Sequence, residues 1–339
     1  MSSNGSLFDL PHIAADAGHV VVANAADGTE GIFAARYAAE HNVPIYYIAR
    51  DGAHMVDLAQ VIRFEAPDID IVQFPAWDCL PYDRVSPSAE SSAQRMAALV
   101  KMGALRAKPR AAVILTSPNA IIQRIPKLSF IAKQIFLAKP GQTIAMDDIT
   151  KRLAVNGFER VSTVREVGEF AVRGGILDIY APGTKAPVRL DFFGDTLESV
   201  RAFDPASQRT VKPLKVFNMR PTSEVALNAQ TVTRFRSNYL EMFGAAQRGD
   251  ALYESISAQS RFAGMEHWLP LFYEELDSPL LVLPNAPVIF EHLAKEAIDE
   301  RRTQIEDHYD SRLASLESKK TWTVVERSSM PESMKAIPG

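Results

Sequence analysis

Apolar positions in the first third of the chain fall into short β-branched or aromatic runs separated by stretches of helical period. Val20–Val22 is a run of three valines, and GIFAARYAAEHN (31–42) then repeats Ile32, Ala35, Tyr37 and Ala38 at helical spacing. Further runs follow at Pro44–Ile48 (PIYYI), Ile69–Phe74 (IDIVQF) and Ala112–Leu115 (AVIL). Between the last two, Ser88–Met102 reads as a helix, with Ser91 and Ser92 near its start and Met96, Leu99 and Val100 along one face. Apolar runs alternating with helices predict a parallel sheet covered on both faces.

The pattern changes over 125–215. A helix through 128–138 precedes Pro140-Gly141 and a short helix at 147–155. Strand-like pieces follow at Glu169–Arg173, Gly175–Tyr180, Val188–Phe193 and Ser199–Phe203, with turns at Pro182-Gly183 and Gly194-Asp195. An antiparallel meander with two helices, an α+β unit, is expected there. Beyond 216 the periods turn helical again, at 231–243, at 250–258 and in one long helix from about 286 to 318. Its first half carries Val288, Ile289, Leu293 and Ala297; its second half, ERRTQIEDHYDSRLASL, is polar nearly all round, with only Ile305, Tyr309 and Leu313 on a stripe. Such a helix packs through a thin seam or bridges to another element. The predicted organisation is 1–124, an inserted 125–215, and 216–339.

Composition changes this picture little. In 339 residues with a formal net charge of −4, nothing supplies a global basic field for nucleic acid. Cys79 is the single cysteine, which excludes a disulfide framework and fits a reducing, cytoplasmic setting. The opening MSSNGSLFDLPHIAADAG lacks the features of a signal peptide, and no apolar stretch is long enough to span a bilayer. The ending MPESMKAIPG, just after the apolar run TWTVV, suggests a fragment cut at a linker.

The stretch GHVVVANAADGTEG (18–31) has the strand–loop–helix outline of a phosphate-binding site. A Walker A loop needs its glycines for close backbone approach, a Lys for charge and a hydroxyl for Mg²⁺. Placed in that frame, Ala23 to Glu30 keeps only Gly28: Thr29 stands where the Lys belongs and Glu30 where the hydroxyl belongs. With Asp27, two negative charges face the phosphate position, at about 1–4 kcal/mol per close pair. The loop has the outline of a nucleotide site without its chemistry, and no nucleotide, other cofactor or metal is expected. The G-x-G-x-x-G pattern, an apolar strand ending in Asp-Glu, a G-x-S-x-G elbow and His pairs at metal-binding spacing are all absent from the sequence. FPAWDCLPYDRVSPS (74–88) gathers Trp77, Tyr82 and three prolines, which suits either base stacking or a packed loop at the end of the sheet.

In VRLDFF (188–193), alternation puts Val188, Leu190 and Phe192 on one face and Arg189, Asp191 and Phe193 on the other. Arg173, in the neighbouring VRGG, stands beside two glycines that allow close backbone approach. Arginine and large aromatics on one surface have the composition of an interface hot spot. The same residues also allow a plain surface strand, with Arg189 paired to Asp191 and Phe193 tucked under a turn.

The stretch GFERVSTVREVGEFAVRGGILDIYAPGTKAPVRLDFFGDTLESVRAFDPASQRT (157–210) closely resembles the second domain of the bacterial transcription–repair coupling factors, the Mfd family. FPAWDCLPYDRVSPS, ILTSPNAIIQRIP (114–126) and GMEHWLPLFY (264–273) resemble its flanking segments. The resemblance covers nearly the whole chain and implies the N-terminal module similar to UvrB. That module is a split, degenerate P-loop or helicase-like parallel-sheet domain with a smaller α+β UvrA-binding domain inserted. It further implies a non-catalytic adaptor that recruits UvrA for nucleotide excision repair through Arg173, Arg189 and Phe193. Motor, RNA-polymerase-binding and C-terminal domains would lie elsewhere in the intact protein, and the C-terminal domain would mask the UvrA surface until activation. A true UvrB keeps a working Walker A and a tyrosine-rich β-hairpin; here PYDRVSPS stands at the hairpin position. The alternative reading is a UvrB-like helicase fragment with residual ATP or DNA binding; contact with DNA is otherwise expected to be weak or indirect, and contact with membranes absent.

Overall fold

A computed structural model describes residues 18–26 and 28–320. The opening 17 residues, Asp27, TWTVV and MPESMKAIPG lie outside the described residues.

The first sheet has four parallel strands in the order Val288–Phe290, Pro44–Ile48, Ala112–Thr116, Asp70–Phe74. It is covered on both faces, as the unbroken apolar runs require. Ile45, Tyr47, Val113 and Leu115 pack on helices Thr29–His41 and Gly52–Glu65 through Ala35, Ala38, Leu58 and Ile62. On the other face Tyr46, Val72, Phe74 and Ile114 meet Met96, Leu99 and Met102 of helix Ala89–Ala107. Ser88 caps that helix by accepting from the Ser91 N–H at 3.1 Å. Helix Gly52–Glu65 lacks a strong apolar period and was not evident from the sequence. Its start is fixed by Asp51, whose side chain accepts from the His54 N–H.

Two expectations fail at this sheet. Val20–Val22 is not a strand; the three valines are exposed outside the sheet. Val288–Phe290, read above as helix, is instead the fourth strand, pairing with Tyr46–Ile48. A β-branched run becomes a strand only where it gains ladder partners, which Val288–Phe290 has and Val20–Val22 lacks. Pro287 pushes the residue before it toward extended backbone, and the segment that follows pairs along the edge of Pro44–Ile48. The long helix therefore begins later, at Ala294–Lys320. It packs through a thin seam, with Ile298 near Ile48 and Ile121, and Tyr309 edge-on to Tyr82 at 5.4 Å.

The chain leaves the parallel sheet after Thr116 and builds a second one of six strands. Their order is Thr210–Pro213, Thr196–Phe203, Val188–Phe193, Ile176–Ile179, Glu169–Arg173, Glu159–Arg160. Neighbours are antiparallel except the last pair, which is parallel, so the expected meander is in fact a mixed sheet. One face carries Phe170, Leu177, Ile179, Val188, Leu190, Phe192 and Val200 onto Ile149 and Leu153 of helix Met146–Val155. The helix read over 128–138 stops at Gln134, and Phe136–Ala138 pairs with Phe217–Met219, bringing the start and end of this unit together. Gly174-Gly175 turns the hairpin next to Arg173; a Cβ at Gly175 would lie 2.7 Å from the Phe192 carbonyl oxygen, so a side chain is excluded there.

Further along, helices Ala229–Phe243 and Ala251–Ser257 enclose an aromatic cluster around Phe235, Phe272 and Tyr273. Among the described residues no helix is long and apolar enough to cross a membrane.

Candidate functional site

The face of the six-stranded sheet opposite its core carries the residues singled out by alternation. Val188, Leu190 and Phe192 are buried, while Phe193 is 78% exposed. Phe193 does not tuck under the Gly194-Asp195 turn, which is a tight hairpin with Gly194 at φ +57°. Arg189 does not pair with Asp191. Strand register sets Asp178 directly opposite Arg189, and the two form a bidentate pair: Nε donates to Oδ1 at 2.7 Å and Nη2 to Oδ2 at 2.9 Å. Arg173 Nη2 donates to the same Oδ2. Asp178 is fully buried, so one desolvated carboxylate is shared by two guanidiniums from the strands on either side.

The two arginines differ. Arg189 is 16% exposed at its side chain, stacks its guanidinium 4.8 Å from the Phe203 ring centroid, and is held more firmly protonated by the Asp178 hydrogen bonds. Arg173 is 45% exposed and keeps donors for a ligand outside the chain. Asp191 pairs instead with Arg201, whose Nε donates at 3.0 Å, and with the Ser199 hydroxyl. The surface thus carries an exposed aromatic and an accessible guanidinium on one sheet face, on the two strands that flank the strand of Asp178. Sequence reasoning missed Asp178; the available signal was one carboxylate in the otherwise apolar ILDI strand between two arginine-bearing strands.

The described residues of the 23–30 stretch make local contacts at the start of helix Thr29–His41. Gly28 has φ +89°, and the Thr29 hydroxyl donates back to the Ala26 carbonyl at 2.6 Å. Glu30 Oε1 lies 3.3 Å from His54 Nε2. Trp77 and Tyr82 are packed, Trp77 donating Nε1–H to Glu224 at 3.0 Å and standing edge-on to His267.

Cys79 and His267 come together, with Sγ and Nε2 at 3.8 Å. They do not form a nucleophile–base pair: His267 Nε2 is also 3.1 Å from the Val85 carbonyl, and burial pushes the Cys79 thiol up to about 11.

Residues 137–225 match the family model of the UvrB interaction domain. Arg173, Asp178, Arg189 and Phe193 all fall within that range. The chain is 34% identical over 253 residues to the transcription-repair-coupling factor of Rickettsia prowazekii, covering 75% of this chain and 22% of the relative. It is 28% identical over 303 residues to that of Haemophilus influenzae (89% and 26%), and 31% identical over 246 residues to that of Escherichia coli (73% and 21%). The six-stranded sheet is therefore a UvrB interaction domain carried on a parallel α/β unit. The chain belongs to the transcription-repair-coupling factor family and spans about a fifth to a quarter of the length of these curated relatives.

Proposed function

We propose that this chain is a non-catalytic adaptor in transcription-repair coupling, docking UvrA through the outer face of its six-stranded sheet. The observation that carries this reading is the 78% exposure of Phe193 on the same sheet face as Arg173, on strands tied to the central strand through buried Asp178. An exposed rigid aromatic supplies apolar anchoring, and an accessible guanidinium supplies steering toward a carboxylate on the partner. Arg189 acts here chiefly by positioning, since its Nε and Nη2 are already engaged by Asp178. Motor, RNA-polymerase-binding and C-terminal domains of the intact protein are proposed as further partners, the last of them masking this face before activation.

The Ala23–Glu30 loop is read as a degenerate nucleotide site. In support, Thr29 and Glu30 replace the phosphate- and Mg²⁺-binding groups, the preceding valines form no strand, and Glu30 is engaged with His54. Calorimetry showing micromolar ATP affinity would overturn that part. The docking surface is tested by capture of UvrA with the unmodified chain beside Arg173→Glu, Arg189→Glu and Phe193→Ala. Arg173→Glu and Phe193→Ala should each reduce capture at least about tenfold, the size of a hot-spot loss. Equal capture by all four chains would show that UvrA binds elsewhere or not at all.

A further inference from the structure

Glu30, His54 and Glu291 come from three separate elements: the first turn of helix Thr29–His41, the first turn of helix Gly52–Glu65, and the residue after strand Val288–Phe290. One ligand atom from each lies within 4.8 Å of the other two. His54 Nε2 stands 3.3 Å from Glu30 Oε1 and 3.2 Å from Glu291 Oε1. A tetrahedral Zn²⁺ with bonds of about 2.1 Å sets neighbouring ligand atoms about 3.4 Å apart, so two of the three separations already match.

A second observation concerns Glu291 alone. Its side chain is 5% exposed, and its Oε2 accepts from the Arg50 backbone N–H at 2.9 Å. Oε1 instead points into the cluster, where it has ion-pair neighbours but no well-formed hydrogen bond. We propose that Glu30, His54 and Glu291 form a binding site for a divalent transition-metal ion, of which Zn²⁺ is the best fit. Two carboxylates and an imidazole with a position left open for water suit that ion, whereas Mg²⁺ and Ca²⁺ favour all-oxygen shells. The imidazole gives its Nε2 lone pair to the metal, and any proton on that nitrogen passes to Nδ1 or to solvent.

Arg50 is the resident competitor. Its Nη1 lies 3.0 Å from Glu291 Oε1 and its Nη2 3.4 Å from His54 Nδ1. Its side chain is 41% exposed, so the guanidinium can swing into solvent when a metal enters. This separates the proposal from a plain ion-pair network: removing Arg50 should strengthen metal binding, because one positive charge no longer opposes the ion.

The test is calorimetric titration of the chain with Zn²⁺, with Co²⁺ as a spectroscopic probe of nitrogen–oxygen ligation and Mg²⁺ as the contrasting ion. One equivalent of Zn²⁺ should bind. His54→Ala and Glu291→Gln should weaken binding at least about tenfold, and Arg50→Ala should tighten it by about as much. Circular dichroism identifies any variant that fails to fold, in which case Glu30→Gln carries the loss arm. No Zn²⁺ binding, equal affinity for Mg²⁺, binding unchanged in the ligand variants, or weaker binding in Arg50→Ala would each overturn the proposal. Unchanged binding in the ligand variants would place the ion elsewhere, for instance at Cys79 and His267.

Discussion

Asp178 shows how one buried carboxylate fixes a surface. Its charge is tolerable at full burial because Arg189 supplies two hydrogen bonds and Arg173 a third. Truncating it leaves Arg189, mostly buried over Phe203, without its counter-charge. Asp178→Ala should therefore cost about 3 kcal/mol in chemical denaturation, as expected when one partner of a buried pair is removed. Arg173→Ala should cost less than about 1 kcal/mol, since that side chain is nearly half exposed and Asp178 keeps its bidentate partner. Phe193→Ala should stay within about 0.5 kcal/mol. If Asp178→Ala is as mild as Phe193→Ala, the pair does not hold the surface. At this scale the sequence was legible through alternation, which separated Val188, Leu190 and Phe192 from Arg189, Asp191 and Phe193. Asp178 was not legible, because its role depends on facing Arg189 across strands, and register is invisible in a single strand.

Between elements, Arg95 joins helix Ala89–Ala107 to the segment that returns from the six-stranded sheet. Its side chain is fully buried; Nε donates to Glu224 at 2.6 Å, and Nη1 donates to the Pro75 carbonyl at 2.7 Å and to Gln123 at 3.0 Å. The guanidinium also lies 4.4 Å from the Phe74 ring centroid, and Trp77 donates to the same Glu224 oxygen. Arg95→Met should destabilise the chain by about 3–5 kcal/mol, because Glu224 is left buried and charged. Adding Glu224→Gln removes that charge while keeping an acceptor for Trp77, and should recover about half of the loss. A double-mutant cycle by denaturation measures the coupling; additive effects would mean that the two do not act as a pair. From the sequence, Arg95 was one polar position on an amphipathic helix, with nothing to mark its partner 129 residues away. The exchange of Val20–Val22 for Val288–Phe290 has the same origin. Both runs have strand composition, and only the long-range pairing of Val288–Phe290 with Tyr46–Ile48 tells them apart.

Over the whole molecule, the class of each region was readable because buried parallel strands and half-exposed antiparallel strands have different periods. The elements at 136–138, 159–160, 210–213 and 217–219 were not, being too short to carry a period of their own. The assembled chain shows something that neither pattern carried. The main core of the six-stranded sheet is drawn wholly from Phe136 to Met219, and a satellite of Val164, Ala171 and Phe203 lies within the same span. Phe136–Ala138 pairs with Phe217–Met219, so the segment's two ends meet. A unit whose core uses no residue from outside, and whose termini adjoin, should fold on its own. A fragment of residues 136–220 is expected to unfold in a single cooperative thermal transition with native-like circular dichroism. Its midpoint should lie below that of the full chain, because a domain this small buries a smaller fraction of its surface. On the proposed function, the same fragment should capture UvrA to the extent that the full chain does, since Arg173, Asp178, Arg189 and Phe193 all lie within it. A fragment that folds but does not capture UvrA would mean that the parallel-sheet unit contributes contacts of its own. A fragment that shows no cooperative transition would mean that the core depends on the Arg95–Glu224 junction after all.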